Sequence, residues 1–189
     1  MSAHNAHNHD GESCCSHSST PNPYAQTLDE LDFEKSIHYA CLNNDINRVK
    51  TIISKKGGSV VNEIDSTGYA SLHYAARKGY LDICRVLIDY GADVNAITPE
   101  LLSTPLHRAS TYNHSKVVSL LLSSGAKPEL QDSDGKTCLH RACENGSKDV
   151  ILTLKKLNDF ESLLRIKDKN ERIASEYCKL EEILKLFDD

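Results

Sequence analysis

Asp65-Ser66-Thr67-Gly68-Tyr69-Ala70-Ser71-Leu72-His73-Tyr74-Ala75-Ala76 returns as Asp132-Ser133-Asp134-Gly135-Lys136-Thr137-Cys138-Leu139-His140-Arg141-Ala142-Cys143. Between them stands Thr104-Pro105-Leu106-His107-Arg108-Ala109-Ser110. The Leu-His pair recurs 34 residues apart from His73 to His107 and 33 apart from His107 to His140. Downstream, Val86-Leu87-Ile88 precedes Gly91-Ala92, and Leu120-Leu121-Leu122 precedes Gly125-Ala126. Two features therefore repeat in phase. A unit of this size cannot bury its apolar faces alone, so neighbouring units must stack and share a core.

The units at Asp65 and Asp132 open on an Asp-x-x-Gly turn, where glycine supplies positive φ. A short helix follows, opened by Ser71, Pro105 or Cys138; a proline at a helix start gives up an N–H that has no intrahelical partner anyway. The second helix presents Ile83, Val86 and Leu87 to one face and ends at Gly91, a residue suited to a left-handed cap. Small residues at Ala75-Ala76 and Ala142-Cys143 let helices approach closely. Thr104 and Thr137 bond backbone at helix starts. His73, His107 and His140 hold one motif position a repeat apart, so they read as residues tying adjacent turns and not as a gathered metal or catalytic cluster.

These motifs resemble the ankyrin family, with its 33-residue period and T-P-L-H-x-A signature, over about residues 31–189. The resemblance implies an all-α solenoid of helix-turn-helix-hairpin repeats, about four of them plus a C-terminal cap. The expected divisions are a disordered His/Cys/Ser-rich tail at 1–29 and a repeat domain at 30–189. Within it, repeats fall at about 31–64, 65–98, 99–131 and 132–167, and the cap at 168–189. The first repeat keeps Ile37-His38-Tyr39-Ala40-Cys41, with Thr27 and Glu30 as a capping box ahead of it. The cap begins Asp168-Lys169-Asn170-Glu171-Arg172-Ile173-Ala174, lacks the glycine, carries Glu176 in place of histidine, and ends in Glu181, Glu182, Lys185, Asp188 and Asp189, which suit a solvent-facing end. Two departures stand out. The third repeat has one extra residue and Leu102 where Gly68 and Gly135 sit, so its hairpin, Thr98-Pro99-Glu100-Leu101-Leu102-Ser103, is expected to be built differently, with exposed leucines. The fourth has Asn158-Asp159-Phe160 for Gly-Ala-Asp and a longer link to the cap.

Composition narrows the function. Hydrophobic residues are 39%, charged residues 26% and aromatics 6% with no Trp, so Leu, Ile, Val and Ala must build the core. No apolar run reaches the roughly 18 residues a membrane span needs, and no signal-peptide segment opens the chain, so a cytoplasmic or nuclear protein without a membrane is expected. The net charge is −5, of which Asp10, Glu12 and Asp29 place −3 in the tail, leaving −2 for the other 160 residues. Without a basic surplus, nucleic acid is not the expected partner. Seven cysteines, an odd count without a secretory signal, argue against a disulfide framework; Cys41, Cys84, Cys138, Cys143 and Cys178 read as reduced packing residues in helical patterns.

Catalytic motifs are missing: no phosphate-binding loop, dinucleotide loop, nucleophile elbow or His-Glu-x-x-His pair occurs, and Lys55-Lys56-Gly57-Gly58-Ser59 reads as a plain turn. No enzyme, cofactor or metal is expected from the repeats. In the tail, His4, His7, His9, Cys14, Cys15 and His17 are soft-metal ligand types within 14 residues, which supports an alternative reading as a metal- or redox-responsive regulator. Their spacing matches no closed zinc pattern. Leu87…Asp93-Val94-Asn95 resembles the ankyrin loop pattern in which the asparagine is hydroxylated.

By the resemblance, the expected function is a protein–protein adaptor, working as a monomer, whose concave groove is lined by hairpin tips and first helices. Motif position assigns Leu42 and Asn43, Arg77 and Lys78, Thr111 and Tyr112, and Glu144 and Asn145 to the helices. The hairpin tips supply Ser66, Thr67 and Tyr69, then Glu100, Leu101 and Ser103, then Ser133, Asp134 and Lys136. The partner-binding candidates are Tyr69, Arg77, Lys78, Thr111, Tyr112 and Glu144. Tyr69, Arg77 and Tyr112 are types enriched at interface hot spots. Charge is expected to run from basic at Arg77-Lys78 to acidic at Glu144, orienting a partner of opposite polarity.

Overall fold

A computed structural model of the chain describes residues 33 and 35–178. The metal and redox reading of the tail, the Thr27–Glu30 capping box and the charged C-terminal end lie outside these residues. Helices come in pairs: α1 (Ile37–Leu42) with α2 (Ile46–Lys56), α3 (Ser71–Lys78) with α4 (Leu81–Asp89), α5 (Pro105–Thr111) with α6 (Ser115–Ser123), and α7 (Cys138–Glu144) with α8 (Lys148–Leu154). The first helices stack in chain order, α1 on α3 on α5 on α7, and the second helices form a parallel row. The result is an all-α repeat solenoid.

The first helices start where the motif placed them. Pro105 opens α5, and Thr104 and His107 bond each other's backbone amides; Thr137 and His140 repeat the arrangement at α7. Close stacking of the first row is possible because its contact residues are small: Ala40 and Cys41, Ala75 and Ala76, Ala109 and Ser110, Ala142 and Cys143 are all buried. Leu72, Leu106 and Leu139 recur beneath them, each essentially solvent-free, and burial of such a side chain stabilises by roughly 1.5–3 kcal/mol. In α4 it is Ile83, Cys84 and Leu87 that face the core, with Val86 only half-buried, so the apolar face is turned slightly from the one expected.

The link after the fourth repeat is packed structure. Its residues form α9 (Phe160–Leu164), and Phe160 and Leu163 are buried. The cap follows as a hairpin, with Lys167 bridged to Ile173, and a 3₁₀ turn over Ala174–Tyr177. Glu176 does there one half of what a histidine does elsewhere: its carboxylate accepts from the Ile173 amide at 3.3 Å. Cys178 lies just past this turn and so outside a helix, but all five described cysteines are buried and free.

Candidate functional site

Four histidines hang the hairpins on the first helices. His38 bonds the Glu63 carbonyl at 2.9 Å, His73 those of Ala96 and Ser103 at 3.1 and 3.0 Å, His107 that of Lys136 at 3.0 Å, and His140 that of Arg172 at 3.2 Å. A carbonyl only accepts, so Nε2 carries the proton. At His107 and His140 the other nitrogen, Nδ1, accepts from the Thr104 and Thr137 amides, which fixes the neutral tautomer. Burial pushes the pKa of His73, His107 and His140 down. These rings are structural ties.

Each hairpin begins on a residue that caps its own turn. The Asp65 carboxylate accepts from the Thr67 and Tyr69 amides, Asp132 from Asp134 and Lys136, and Asp168 from Asn170 and Arg172. The remaining oxygen is taken by the residue just after the motif histidine, or after Glu176 in the cap. Tyr74 donates to Asp65 at 2.5 Å, Arg141 to Asp132 at 2.7 Å, and Tyr177 to Asp168. Burial raises the Asp168 carboxyl, but the Tyr177 hydroxyl and the two amides outweigh it and hold the pKa at about 2.

In the third hairpin the turn starts on Thr98. Its hydroxyl accepts from the Ser103 amide at 3.1 Å, reproducing one half of the aspartate's role. It has no second oxygen to offer Arg108, the residue after His107. The expected difference in build is therefore confined to one place: the extra residue sits inside the loop, while Leu102 adopts φ 47°, the left-handed conformation that Gly68 and Gly135 take. Leu101 and Leu102 are 45% and 42% exposed.

Arg77 lies 5.5 Å over the Tyr112 ring, and Tyr112 is 46% exposed. Lys78 is exposed. Tyr69 is half-buried under Arg108, which stacks 5.1 Å above its ring and donates to its hydroxyl. Thr111 is half-buried and donates to the His107 carbonyl at 2.9 Å. Glu144 is half-buried and not a free acid, since its carboxylate is held by Lys136 at 2.9 Å and Arg141 at 3.1 Å. Burial raises its pKa, but these two cations lower it further, for a net downward shift. Ser103 and Lys136, expected as exposed tips, are buried: Ser103 is held by its carbonyl to His73 and its amide to Thr98, and Lys136 folds 4.4 Å over the Tyr177 ring. The expected charge gradient is accordingly altered. Arg141 also pairs with Asp134 at 2.8 Å, so the acidic end is an internal network, while Arg77, Lys78 and Arg108 have no carboxylate partner among the described residues.

Arg108 and Arg141 were not singled out from the sequence. The signal existed: aligning the repeats on histidine puts Tyr74, Arg108, Arg141 and Tyr177 at one position, with an aspartate nine residues ahead of all but Arg108.

Elsewhere, Asn95 donates to the Gly125 carbonyl at 3.1 Å and accepts from the Lys127 amide at 2.9 Å, tying two successive repeats, as Asn62 does to Gly91 and Asp93. Among the described residues no helix is long and apolar enough to cross a membrane, and no group of three His, Cys, Asp or Glu is placed to hold a metal. Burial raises Cys41, Cys84 and Cys138 to about 12, which makes them poor nucleophiles.

Comparison with known proteins agrees with this architecture. The sequence model of the family described as ankyrin repeats (3 copies) matches residues 4–98 and 99–163. The chain is similar to ankyrin repeat domain-containing protein 39, with 45% identity to the Homo sapiens protein over 45% of each chain. Identity to the Bos taurus protein of that name is 49%, over 35% of this chain and 36% of the relative. It is also 36% identical to palmitoyltransferase Hip14 of Drosophila melanogaster over 58% of this chain, but that match covers only 16% of the relative and carries no activity across. The chain spans less than half the length of each of these relatives.

Proposed function

The chain belongs to the ankyrin-repeat family of protein-interaction modules, and we propose that it acts as a monomeric adaptor of the cytoplasm or nucleus, seating one partner protein in the groove formed by its hairpins and first helices. The observation that carries this reading is the arrangement of Arg77, Lys78 and Tyr112. All three are exposed at the ends of neighbouring first helices, and the guanidinium is pre-stacked on the tyrosine ring. An aromatic ring and an arginine already held together lose little conformational freedom on binding, the property of an anchoring pair. Tyr69, Thr111 and Glu144 extend the same face but are engaged within the fold, so they position neighbours and contribute contact area.

Affinity capture from cells tests it, with the intact chain beside an Arg77→Ala, Lys78→Ala, Tyr112→Ala variant. All three side chains are exposed and none belongs to the core, so the variant is expected to fold. A partner retained by the intact chain and lost by the variant supports the groove. Retention by both moves the binding surface to the opposite face or to the tail.

A further inference from the structure

The row of hairpins has one gap. In the hairpins of Gly68 and Gly135 the residue just past the positive-φ turn position reaches toward the residue after the next repeat's histidine or Glu176. Tyr69 covers Arg108, and Lys136 covers Tyr177. In the third hairpin that residue is Ser103, which is too short to reach Arg141. A pocket of about 500 Å³ opens there, lined by Leu101, Arg108, Thr111 and Asn145 and by Arg141 with its paired carboxylates Asp132 and Glu144, within the usual range for a ligand site.

The charges inside it are not equivalent. Arg141 is saturated by Asp132, Asp134 and Glu144. Arg108 is not: its hydrogen bond goes to a neutral hydroxyl, and its Nε is shut off from solvent with no acceptor. The cause is Thr98, which stands where the other described hairpins have the aspartate that would neutralise this position. A half-buried guanidinium without a counter-ion is a strong, geometrically selective receptor for carboxylate. The exposed Leu101 and Leu102 lie at the tip of the same hairpin, and Arg77 and Lys78 add positive charge on the preceding repeat without acidic partners.

We infer that this pocket receives one acidic side chain of a partner protein, an Asp or Glu whose carboxylate docks on Arg108 while an adjacent apolar side chain of the same segment lies against Leu101 and Leu102. The inference rests on the groove being the partner's seat. It assigns the partner's carboxylate the role that Asp132 plays for Arg141, completing in trans an ion pair the third repeat lacks.

Selection from a phage-displayed random peptide library tests it, using the full chain, Arg108→Gln, Thr98→Asp, and the Arg77→Ala, Lys78→Ala, Tyr112→Ala variant. The intact chain is expected to select peptides with Asp or Glu in fixed register beside an apolar residue. Changing that Glu to Gln in a synthetic peptide should weaken binding roughly ten- to a hundred-fold, as loss of a charge-assisted bond does, and should matter little against Arg108→Gln. Thr98→Asp should weaken the acidic peptide comparably, because its own carboxylate then occupies the guanidinium. It keeps the cap to the Ser103 amide, so its melting temperature should not fall. Peptides without a fixed acid, or a Glu-to-Gln loss undiminished in Arg108→Gln, overturn the inference. If binding is lost in the triple variant but ignores Arg108→Gln and Thr98→Asp, the groove stands and only the acid pocket fails. If no peptide is selected, or the triple variant binds as well as the intact chain, the groove reading fails with it.

Discussion

The third and fourth hairpins share a backbone plan and differ in what their side chains are free to do. The fourth is closed on itself: Asp132, Asp134 and Glu144 surround Arg141, Glu144 also holds Lys136, and Lys136 lies on the next repeat. The third keeps the turn hydrogen bond, the positive-φ position and the tie to His73, yet presents Leu101, Leu102 and a cation lacking its carboxylate. A repeat can thus surrender its internal ion pair without losing its place in the stack. Stacking depends on buried apolar contacts and the histidine tie, and neither involves the hairpin carboxylate.

The largest effect should fall on what the two hairpins share. The motif histidines are neutral in the fold and burial depresses their pKa below 6.5. The unfolded chain therefore binds more protons below that value. Their contribution is complete above pH 6.5 and is lost as pH falls from 6.5 toward the folded values, at up to about 1.4 kcal/mol per pH unit per ring. Urea unfolding between pH 7 and 5 checks this, and a flat profile would mean the rings are not held neutral. The carboxylate windows lie lower. Asp65 and Asp168 have depressed pKa values, so their stabilisation persists until pH drops below about 3.8. The third hairpin has no part in that second loss.

The next effect separates the hairpins. Arg141→Ala strips the counter-ion from Asp132, which is 5% exposed, and should cost about 3 kcal/mol. Arg108→Ala leaves no buried carboxylate behind and should cost under about 1 kcal/mol. Equal losses in denaturant unfolding would erase the distinction between a closed and an open repeat.

The smallest effect concerns the backbone. Leu102 holds a left-handed conformation that disfavours a side chain, so Leu102→Gly should stabilise by roughly 1 kcal/mol, read as a higher melting temperature. The opposite change in the fourth hairpin, Gly135→Ala, should destabilise, because the added Cβ would stand 2.7 Å from the Lys169 amide.

Much of this was legible before the fold. The phase of Leu72-His73, Leu106-His107 and Leu139-His140, the start of α5 at Pro105, and the role of the histidines all follow from a repeating pattern, because a position that recurs at one repeat spacing meets the same neighbours each time. The misreadings fall where the pattern breaks. Ser103 and Lys136 were expected at exposed tips and are buried: Lys136 lies across the Tyr177 ring, and Ser103 is held by its carbonyl to His73 and its amide to Thr98. Glu144 was expected as a free acidic end and is paired. The Asn158–Phe160 departure is the approach to a packed helix, and no periodicity announces a segment that occurs once.

The sequence by itself determined that this chain is a stack of helix pairs with hairpins hung from histidines, since helix start signals, turn glycines and small contact residues act over a few positions. Only the tertiary structure decided which charges are spent. Whether Arg108 or Arg141 has a counter-ion depends on side chains from different elements reaching one another across a hairpin, and on a single short residue, Ser103, that leaves the space beside them open.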